Sequence, residues 1–432
     1  MNSLDEWLGH VEKVHSKTWD LGLARVNRVA EELGLTLQSS RVAIVAGTNG
    51  KGSTCEYMEQ FCIEAGLSVG KSTSPHLLRF NERIQVNGYP VSDDVIVEAF
   101  ESIETARRNI SLTYFEFAVL ASALIFNRSD LDIWILEVGL GGRLDAMNIF
   151  SRDISVITQI ALDHQAWLGN SREEIALEKA AIMRSGIPCV VADPDPPATL
   201  MQYARKLGIT PFLIGKDFSF EDGKIHIQGR ELFDLPVPQL PKNSAVAALQ
   251  AVSCLGIELS DLQILDVIRR TRLTGRLQWF DTKPKVLCDV AHNPAAAVYL
   301  RDYLKTYFNS VETKPRVHAV VGMYSDKELS RVINTLSPAV HRWYFTDMDD
   351  ARAATAKDLQ WVLGDRSNAE TCGNISTAFG KAKRDLNIND LIVVFGSFIQ
   401  HVTVVGCMYS SGILFSALLE EFKLGRGPTS LP

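Results

Sequence analysis

The residues of this chain that most plainly could do chemistry are Gly47-Thr48-Asn49-Gly50-Lys51-Gly52-Ser53-Thr54. The apolar run Val42–Ala46 before them reads as a buried strand, and a helix is expected after them, from about Thr54 to Ala65. A strand that breaks into glycines and then opens a helix suits a polyphosphate. Glycine lets backbone N–H groups approach phosphate oxygens, and a helix N-terminus adds positive potential. Lys51 supplies a mobile charge, and the hydroxyl of Ser53 or Thr54 offers an oxygen to Mg²⁺. The spacing departs from the standard phosphate-loop pattern. Val45 stands where that pattern has its first glycine, and Gly52 where it has a hydroxyl directly after the lysine. A glycine-rich turn with an incidental lysine is the competing reading.

Further acids, bases and hydroxyls fall where apolar runs stop. Ile133–Val138 contains Glu137 and runs into a glycine-rich loop with Arg143 and Asp145. In open α/β sheets ligands bind beyond the carboxyl ends of strands, so Glu137 is expected beside the phosphate loop as a hard oxygen ligand for Mg²⁺. The alternative is a brace paired with Arg143. His164 follows the run Ile154–Ile160 and is either a ligand or hydrogen-bonded structure. Ser72-Thr73-Ser74-Pro75-His76 follows Val69-Gly70-Lys71; it reads as a loop touching phosphate or metal, or as an ordinary turn. Lys179 sits beside Glu178 in a helical stretch, where the residues by themselves favour a surface salt bridge. Farther on, Asp289, His292 and Asn293 follow another apolar run, before Pro294, which can open a helix. Upstream, Arg276 could hold a phosphate bidentately or form an interdomain salt bridge.

These groups need a sheet to present them. Val42–Ala46, Ile133–Val138, Ile154–Ile160 and Cys189–Ala192 read as buried parallel strands; Ser92–Asn109, Tyr114–Phe126 and Arg172–Arg184 read as helices between them. That alternation predicts an α/β, doubly wound sheet domain. A small antiparallel element is expected over Phe218–Arg230, and a helix from Asn243 to Leu255 after the proline-rich Leu235–Pro241. The pattern restarts with Val286–Val290, Val317–Val321, Trp343–Thr346 and Leu391–Phe395, a second and smaller α/β domain. The expected division is 1–281 and 282–432, which suits a chain of 432 residues.

Composition narrows the class. Hydrophobic residues make up 46% and charged ones 22%, as in a soluble globular protein. The net charge of −7 is spread without a basic block, so no nucleic-acid partner is expected. Seven widely spaced cysteines without a C-x-x-C pair suit reduced thiols in the cytoplasm, and the N-terminus carries acids where a signal peptide would be apolar. Val402–Leu419 carries no formal charge, but Gly406, Ser410, Ser411 and Gly412 interrupt it, and it reads as a final buried strand and helix rather than a membrane span.

Together these segments resemble the Mur ligase superfamily, and within it the folate-linked glutamate ligases. The resemblance rests on His15–Gly22, Gly47–Thr54, Ser74–Leu77, Ser111–Glu116, Leu136–Asn148, Ile160–His164, Gly275-Arg276, Asp289–Pro294 and Gly396–Phe398, over about nine-tenths of the chain. It implies a Mur ligase-like, P-loop-type central domain and a Rossmann-like C-terminal domain. The implied reaction is ATP-dependent ligation of L-glutamate to dihydropteroate and to reduced folates through an acyl phosphate. ATP and Mg²⁺ are implied, as one or two ions, with or without a monovalent cation. By resemblance, Thr48, Asn49, Gly50, Lys51, Gly52 and Ser53 bind the ATP phosphates, Asn243 the adenine, and Arg276 and Asp289 the nucleotide. Ser74, Glu137, His164 and a carbamylated Lys179 are implied as metal ligands, and His292 lies near the acyl phosphate or glutamate. Asp20, Leu21, Gly22, Thr113, Tyr114, Phe115, Glu116, Leu144, Asp145 and Ala146 form the implied pterin pocket, with Phe115 stacking and Asp145 accepting from a pterin N–H. A monomer is expected. The continuation Ile399–Pro432 departs from the family pattern. A peptidoglycan-type amino-acid ligase and an ATP-binding interaction protein are the alternatives.

Overall fold

A computed structural model describes residues 1–397 except 2, 18–19, 36–38, 228, 234 and 365–367. The expected strand and helix in Val402–Leu419, Phe398 of the Gly396–Phe398 match and the divergent tail lie outside the described residues. The described chain forms two compact units, Met1–His76 with Phe80–Leu273, and Leu77–Arg79 with the residues from Thr274 onward. The division thus falls upstream of Asp281.

The first unit is built on a sheet of eight strands among the described residues: β1 (Arg41–Ala46), β2 (Val69–Ser72), β3 (Ile84–Val86), β4 (Tyr89–Pro90), β5 (Ile133–Glu137), β6 (Ile154–Ile157), β7 (Cys189–Val191) and β8 (Phe212–Leu213). Their order is β4-β3-β2-β5-β1-β6-β7-β8, parallel from β2 to β8, with β3 and β4 added antiparallel at one edge. The apolar runs of the sequence are continuous because both faces are covered. Val42, Ile44 and Ala46 of β1 enter one core while Ala43 and Val45 enter the other, and β5 alternates likewise through Trp134 and Leu136 against Ile133 and Ile135.

Helices Leu4–Val14, Ala24–Glu32, Asp93–Arg107 and Tyr114–Arg128 contribute to the first core; Lys51–Glu64, Lys242–Cys254 and Asp261–Arg270 contribute to the second. A three-stranded antiparallel sheet, β9 (Phe218–Glu221), β10 (Lys224–Ile227) and β11 (Arg230–Leu232), closes the second core where a hairpin was expected. The chain leaves β1 toward β2 and β5 on one side and later returns to β6 on the other. The carboxyl end of β1 is therefore the switch point where an open α/β sheet leaves a crevice.

The second unit has the order β12-β13-β17-β14-β15-β16, from β12 (Gln278–Phe280), β13 (Lys285–Asp289), β14 (Val317–Gly322), β15 (Arg342–Thr346), β16 (Ala369–Cys372) and β17 (Leu391–Gly396). All are parallel except β12, which pairs antiparallel with β13. That pairing draws residues before Asp281 into this unit. Among the described residues no helix is long and apolar enough to cross a membrane.

Candidate active site

The phosphate-loop sequence begins where β1 ends. Gly47 has φ +155°, and a Cβ there would stand 1.7 Å from the Thr158 hydroxyl oxygen, so only glycine lets the loop lie against the end of β6. Thr48 fastens the loop: its N–H donates to the Gln159 carbonyl at 2.7 Å, and its hydroxyl donates to the Ala161 carbonyl at 3.1 Å. Gly50, at φ +89°, is the left-handed N-cap of a helix that starts at Lys51, earlier than expected. Lys51 Nζ folds back onto the carbonyls of Gly47 and Thr48 at 3.1 and 3.3 Å. Of the two hydroxyls, that of Thr54 donates to the Gly50 carbonyl at 2.8 Å, inside the helix. Ser244, beside Asn243 at the start of its helix, donates to the same Gly50 carbonyl at 3.4 Å and so brings Asn243 close to the loop.

Glu137 is the last residue of β5 and is 4% exposed. Its Oε2 accepts from the Ser74 N–H at 3.0 Å, and a Cβ built on Gly52 would lie 3.7 Å from the same oxygen. Ser74, Glu137 and the phosphate loop therefore meet. Arg143 does not pair with Glu137; it binds Glu178 at 2.9 Å, so the bracing alternative for Glu137 has lost its partner. His164 stands beyond β6 with φ +50° and ψ +40°, in the left-handed region that histidine enters more readily than most side chains, and its N–H donates to Asp163 Oδ1 at 2.9 Å. Among the described residues no three His, Cys, Asp or Glu side chains converge as a metal cage. Mg²⁺ does not need one, because it is commonly held by one or two protein ligands with phosphate and water oxygens completing the shell.

Lys179 corrects the surface salt bridge. It is 4% exposed, and its Nζ donates to the Gly47 carbonyl at 2.8 Å. Burial, helped by the charge of Lys51, pushes its pKa down to about 7. The glycine loop after β5 makes this possible. A Cβ on Gly142 would strike the Glu178 carbonyl at 2.7 Å, and the Arg143 N–H donates to that carbonyl at 2.9 Å. The loop thus lies flat on the Lys179 helix, which ends at Ala180.

The implied pterin residues are linked by a group that sequence reading missed. Arg25 donates to Asp20 Oδ2 at 2.5 Å, to the Asp20 carbonyl at 2.6 Å and to Glu116 Oε1 at 3.2 Å, joining the Asp20–Gly22 segment to Thr113–Glu116. Thr113 and Glu116 also form a capping box at the start of their helix, so both residues have a structural task in addition. The Phe115 ring lies over Gly139, where a Cβ would approach to 2.7 Å. Asp145 is already well occupied: its two oxygens accept from the N–H groups of Gly139, Leu140 and Met147 at 3.0, 2.9 and 2.9 Å, while burial pushes its carboxyl up to about 6. Of the roughly four lone-pair positions on a carboxylate, one is left for a pterin N–H. Leu144 and Ala146 flank it, and Ala146 is buried.

In the second unit, Asp289 ends β13. Its oxygens accept from Leu277 N–H and Ala291 N–H, both at 2.9 Å. The Val290 N–H donates to the Gly275 carbonyl at 3.0 Å, so the Gly275-Arg276 turn is tied to the Asp289 loop. Burial raises the Asp289 carboxyl, and the Arg276 charge opposes that rise. His292 Nδ1 lies 2.7 Å from the Val290 carbonyl. A carbonyl only accepts, so the proton sits on Nδ1. Asn293 caps the helix that Pro294 opens.

Both units of the chain are similar to known proteins. Residues 45–228 match the Mur ligase middle domain and residues 275–398 the Mur ligase glutamate ligase domain. The chain is 40% identical over 408 residues to the dihydrofolate synthase/folylpolyglutamate synthase of Escherichia coli, covering 93% of this chain and 95% of that one. Against the namesake from Bacillus subtilis the identity is 32%, over 87% and 92% of the two chains. Among solved structures, E. coli FolC in complex with DHPP and ADP superposes with a TM-score of 0.90 at 38% identity, covering 97% of this chain and 98% of the other. A bifunctional folylpolyglutamate synthase/dihydrofolate synthase with Mn, AMPPNP and L-glutamate bound gives 0.88 at 38% identity, with the same coverage. With both Mur ligase domains matched and relatives of this similarity along nearly its whole length, the chain belongs to the dihydrofolate synthase/folylpolyglutamate synthase family of Mur ligases.

Proposed function

We propose that this chain is the ATP-dependent ligase that joins L-glutamate to dihydropteroate and extends reduced folates with γ-linked glutamates. The observation that carries the reading is the meeting of Glu137, Ser74 and Gly52 at the switch point of the first sheet. In this reading Thr48–Ser53 cradle the ATP phosphates, and Lys51 leaves its carbonyls to neutralise the transferring phosphoryl group. Asn243 takes the adenine, and Arg276 and Asp289 take the nucleotide. Ser74, Glu137, His164 and carbamylated Lys179 hold the metal. Bound Mg²⁺ would draw charge from the phosphate oxygens.

Lys179 has the amine chemistry that carbamylation needs. With a pKa pushed down to about 7, much of the amine is neutral and nucleophilic at neutral pH. Addition of that neutral amine to CO₂ forms the N–C bond and gives up one proton to solvent, leaving a carbamate whose anionic oxygens would serve as ligands. The glutamate amine then attacks the carbonyl carbon of the acyl phosphate, the C–O bond to phosphate breaks, and inorganic phosphate leaves as the amide forms; His292 is assigned to the acyl phosphate or the incoming glutamate. Asp20–Gly22, Thr113–Glu116 and Leu144–Ala146 hold the pterin. The enzyme is read as a cytoplasmic monomer without a nucleic-acid partner, supported by a net charge of −7 that lacks a basic block.

ADP release by the purified protein tests the reading, with Mg²⁺-ATP, L-glutamate, and dihydropteroate or a reduced folate supplied separately. Glutamate-dependent release with each is expected. Release with one alone reduces the assignment to that activity, and silence with both overturns it.

A further inference from the structure

Two arginines of the described chain have less than a tenth of their surface exposed, Arg83 and Arg152, each at 6%. Arg152 is consumed by structure: its terminal nitrogens donate to the Asn148 side chain and to the carbonyls of Asn148, Phe150 and Ile182. Other cations near the site are engaged as well. Arg25 holds Asp20 and Glu116, Lys71 holds Glu56 and Glu59, and Arg143 holds Glu178. Arg83 is different. Its Nε donates to His76 Nδ1 at 2.7 Å, and its guanidinium carbon stands 5.8 Å from the Phe80 ring centre and 5.6 Å from that of Tyr114. Its two terminal nitrogens make no hydrogen bond among the described residues. The guanidinium is thus largely removed from water while its forked end stays open to an anion that enters beside it.

The backbone places Arg83 next to the proposed metal site. The antiparallel pairing of β2 and β3 puts Ser72 opposite Ile84, and the Thr73 N–H donates to the Arg83 carbonyl at 3.1 Å. Arg83 is thereby held beside the loop whose next residue, Ser74, donates to Glu137. Glu137 and Tyr114 both favour the guanidinium charge, against its burial. One flank is thus a proposed pterin residue, Tyr114, and the other a proposed metal ligand, Glu137. The anionic part of dihydropteroate that must come to the metal side of the pterin is the carboxylate that receives the phosphoryl group.

We propose that the terminal nitrogens of Arg83 bind that substrate carboxylate, an aryl carboxylate in dihydropteroate, and hold it in line for phosphorylation. The inference rests on the folate-ligase reading above. In the step, one carboxylate oxygen forms the new P–O bond, the bond from the γ-phosphorus to the β-phosphate oxygen breaks, and ADP carries away the electron pair. Arg83 keeps its protons; it pairs with the other oxygen and offsets the repulsion between carboxylate and triphosphate. The Phe80 and Tyr114 rings, with centres 5.8 and 5.6 Å from the carbon of the planar guanidinium, limit its swing.

The test compares binding of pteroic acid with that of its decarboxylated analogue, in which phenyl replaces the benzoate, to wild type and to Arg83→Met. Wild type is expected to prefer the acid by at least about tenfold, as for a charge-assisted, bidentate pair, and Arg83→Met to lose most of that preference. The kcat/KM for dihydropteroate should fall about 10- to 100-fold, with AMP-PNP affinity retained. Arg83→Gln, which keeps a planar amide against both rings, gives the same readout if Arg83→Met does not fold. An active wild type whose variants keep the full preference for the acid overturns the Arg83 assignment and leaves the ligase reading intact. A wild type without glutamate-dependent ADP release overturns the ligase reading itself.

Discussion

Replacing Lys71 by methionine should destabilise the first unit far more than any exposed lysine could. Lys71 is 1% exposed and sits on β2 between Glu56 and Glu59 of the phosphate-loop helix, which are 9% and 0% exposed; its ammonium bonds both carboxylates. Glu59 also accepts from the Gly88 N–H at 3.1 Å, so the triad joins helix, strand and the β3–β4 turn. Burial alone would lower the Lys71 pKa, but the two carboxylates outweigh it and hold it above the ordinary value. Methionine fills the same space and removes the charge. Two carboxylates would then lie buried without their cation, at a cost of about 3–5 kcal/mol.

The pH dependence gives the reasoning a second handle. Burial raises Glu59 above its ordinary 4.5 even with Lys71 present, and losing Lys71 raises it further. A carboxyl whose folded pKa is raised binds its proton more tightly in the native state, so its stability contribution falls as pH climbs past 4.5. The deficit of Lys71→Met relative to wild type should therefore be smallest near pH 4.5 and widest at neutral pH. The triple variant Lys71→Met, Glu56→Gln, Glu59→Gln should recover most of the loss, because no buried charge remains. Urea denaturation at several pH values measures all three statements. A Lys71→Met deficit below about 1 kcal/mol at pH 7, or one that does not narrow in acid, would refute the account of the triad.

Lys179→Ala should cut kcat by more than the roughly fivefold that a surface salt bridge of at most about 1 kcal/mol explains, and near-normal steady-state turnover would remove its proposed metal role. Gly47→Ala puts a Cβ 1.7 Å from Thr158 Oγ1 at a φ that only glycine adopts readily, so AMP-PNP affinity should drop at least about tenfold; an unchanged titration would mean the loop does not need this contact. Asp145→Asn sets an amide against three backbone donors that a carboxylate satisfies, so thermal unfolding should show a loss of about 1–3 kcal/mol and the KM for dihydropteroate should rise, while ATP affinity stays.

Much of the architecture was legible locally. The runs at Val42, Ile133, Ile154 and Cys189 became β1, β5, β6 and β7 because both faces of a parallel sheet are buried, which leaves no polar alternation to obscure them. Gly50 ended the strand-to-loop transition and opened the helix, as its left-handed φ permits. The ends were less legible. β6 stops at Ile157 rather than Ile160, since Thr158–Ala161 turn to bind Ala46, Thr48 and Asn49 at the end of the neighbouring β1. Lys71 lies in the short buried strand Val69–Ser72, and the Glu56–Glu59 spacing of i, i+3 on the preceding helix was a visible signal for a buried partner.

By itself the sequence determined the two α/β patterns, the glycine-rich phosphate loop and the strand-end placement of Glu137, His164 and Asp289. Each follows from residues within a few positions of one another, where φ, burial period and side-chain chemistry act directly. Tertiary structure alone decided that Lys179 is buried against Gly47, that Arg143 takes Glu178 rather than Glu137, and that Arg83 meets His76 through its Nε alone. A helix lysine is a surface charge or a desolvated amine according to what is laid over it. Here that cover comes from a glycine loop and a strand end far away in sequence, which no local spacing encodes.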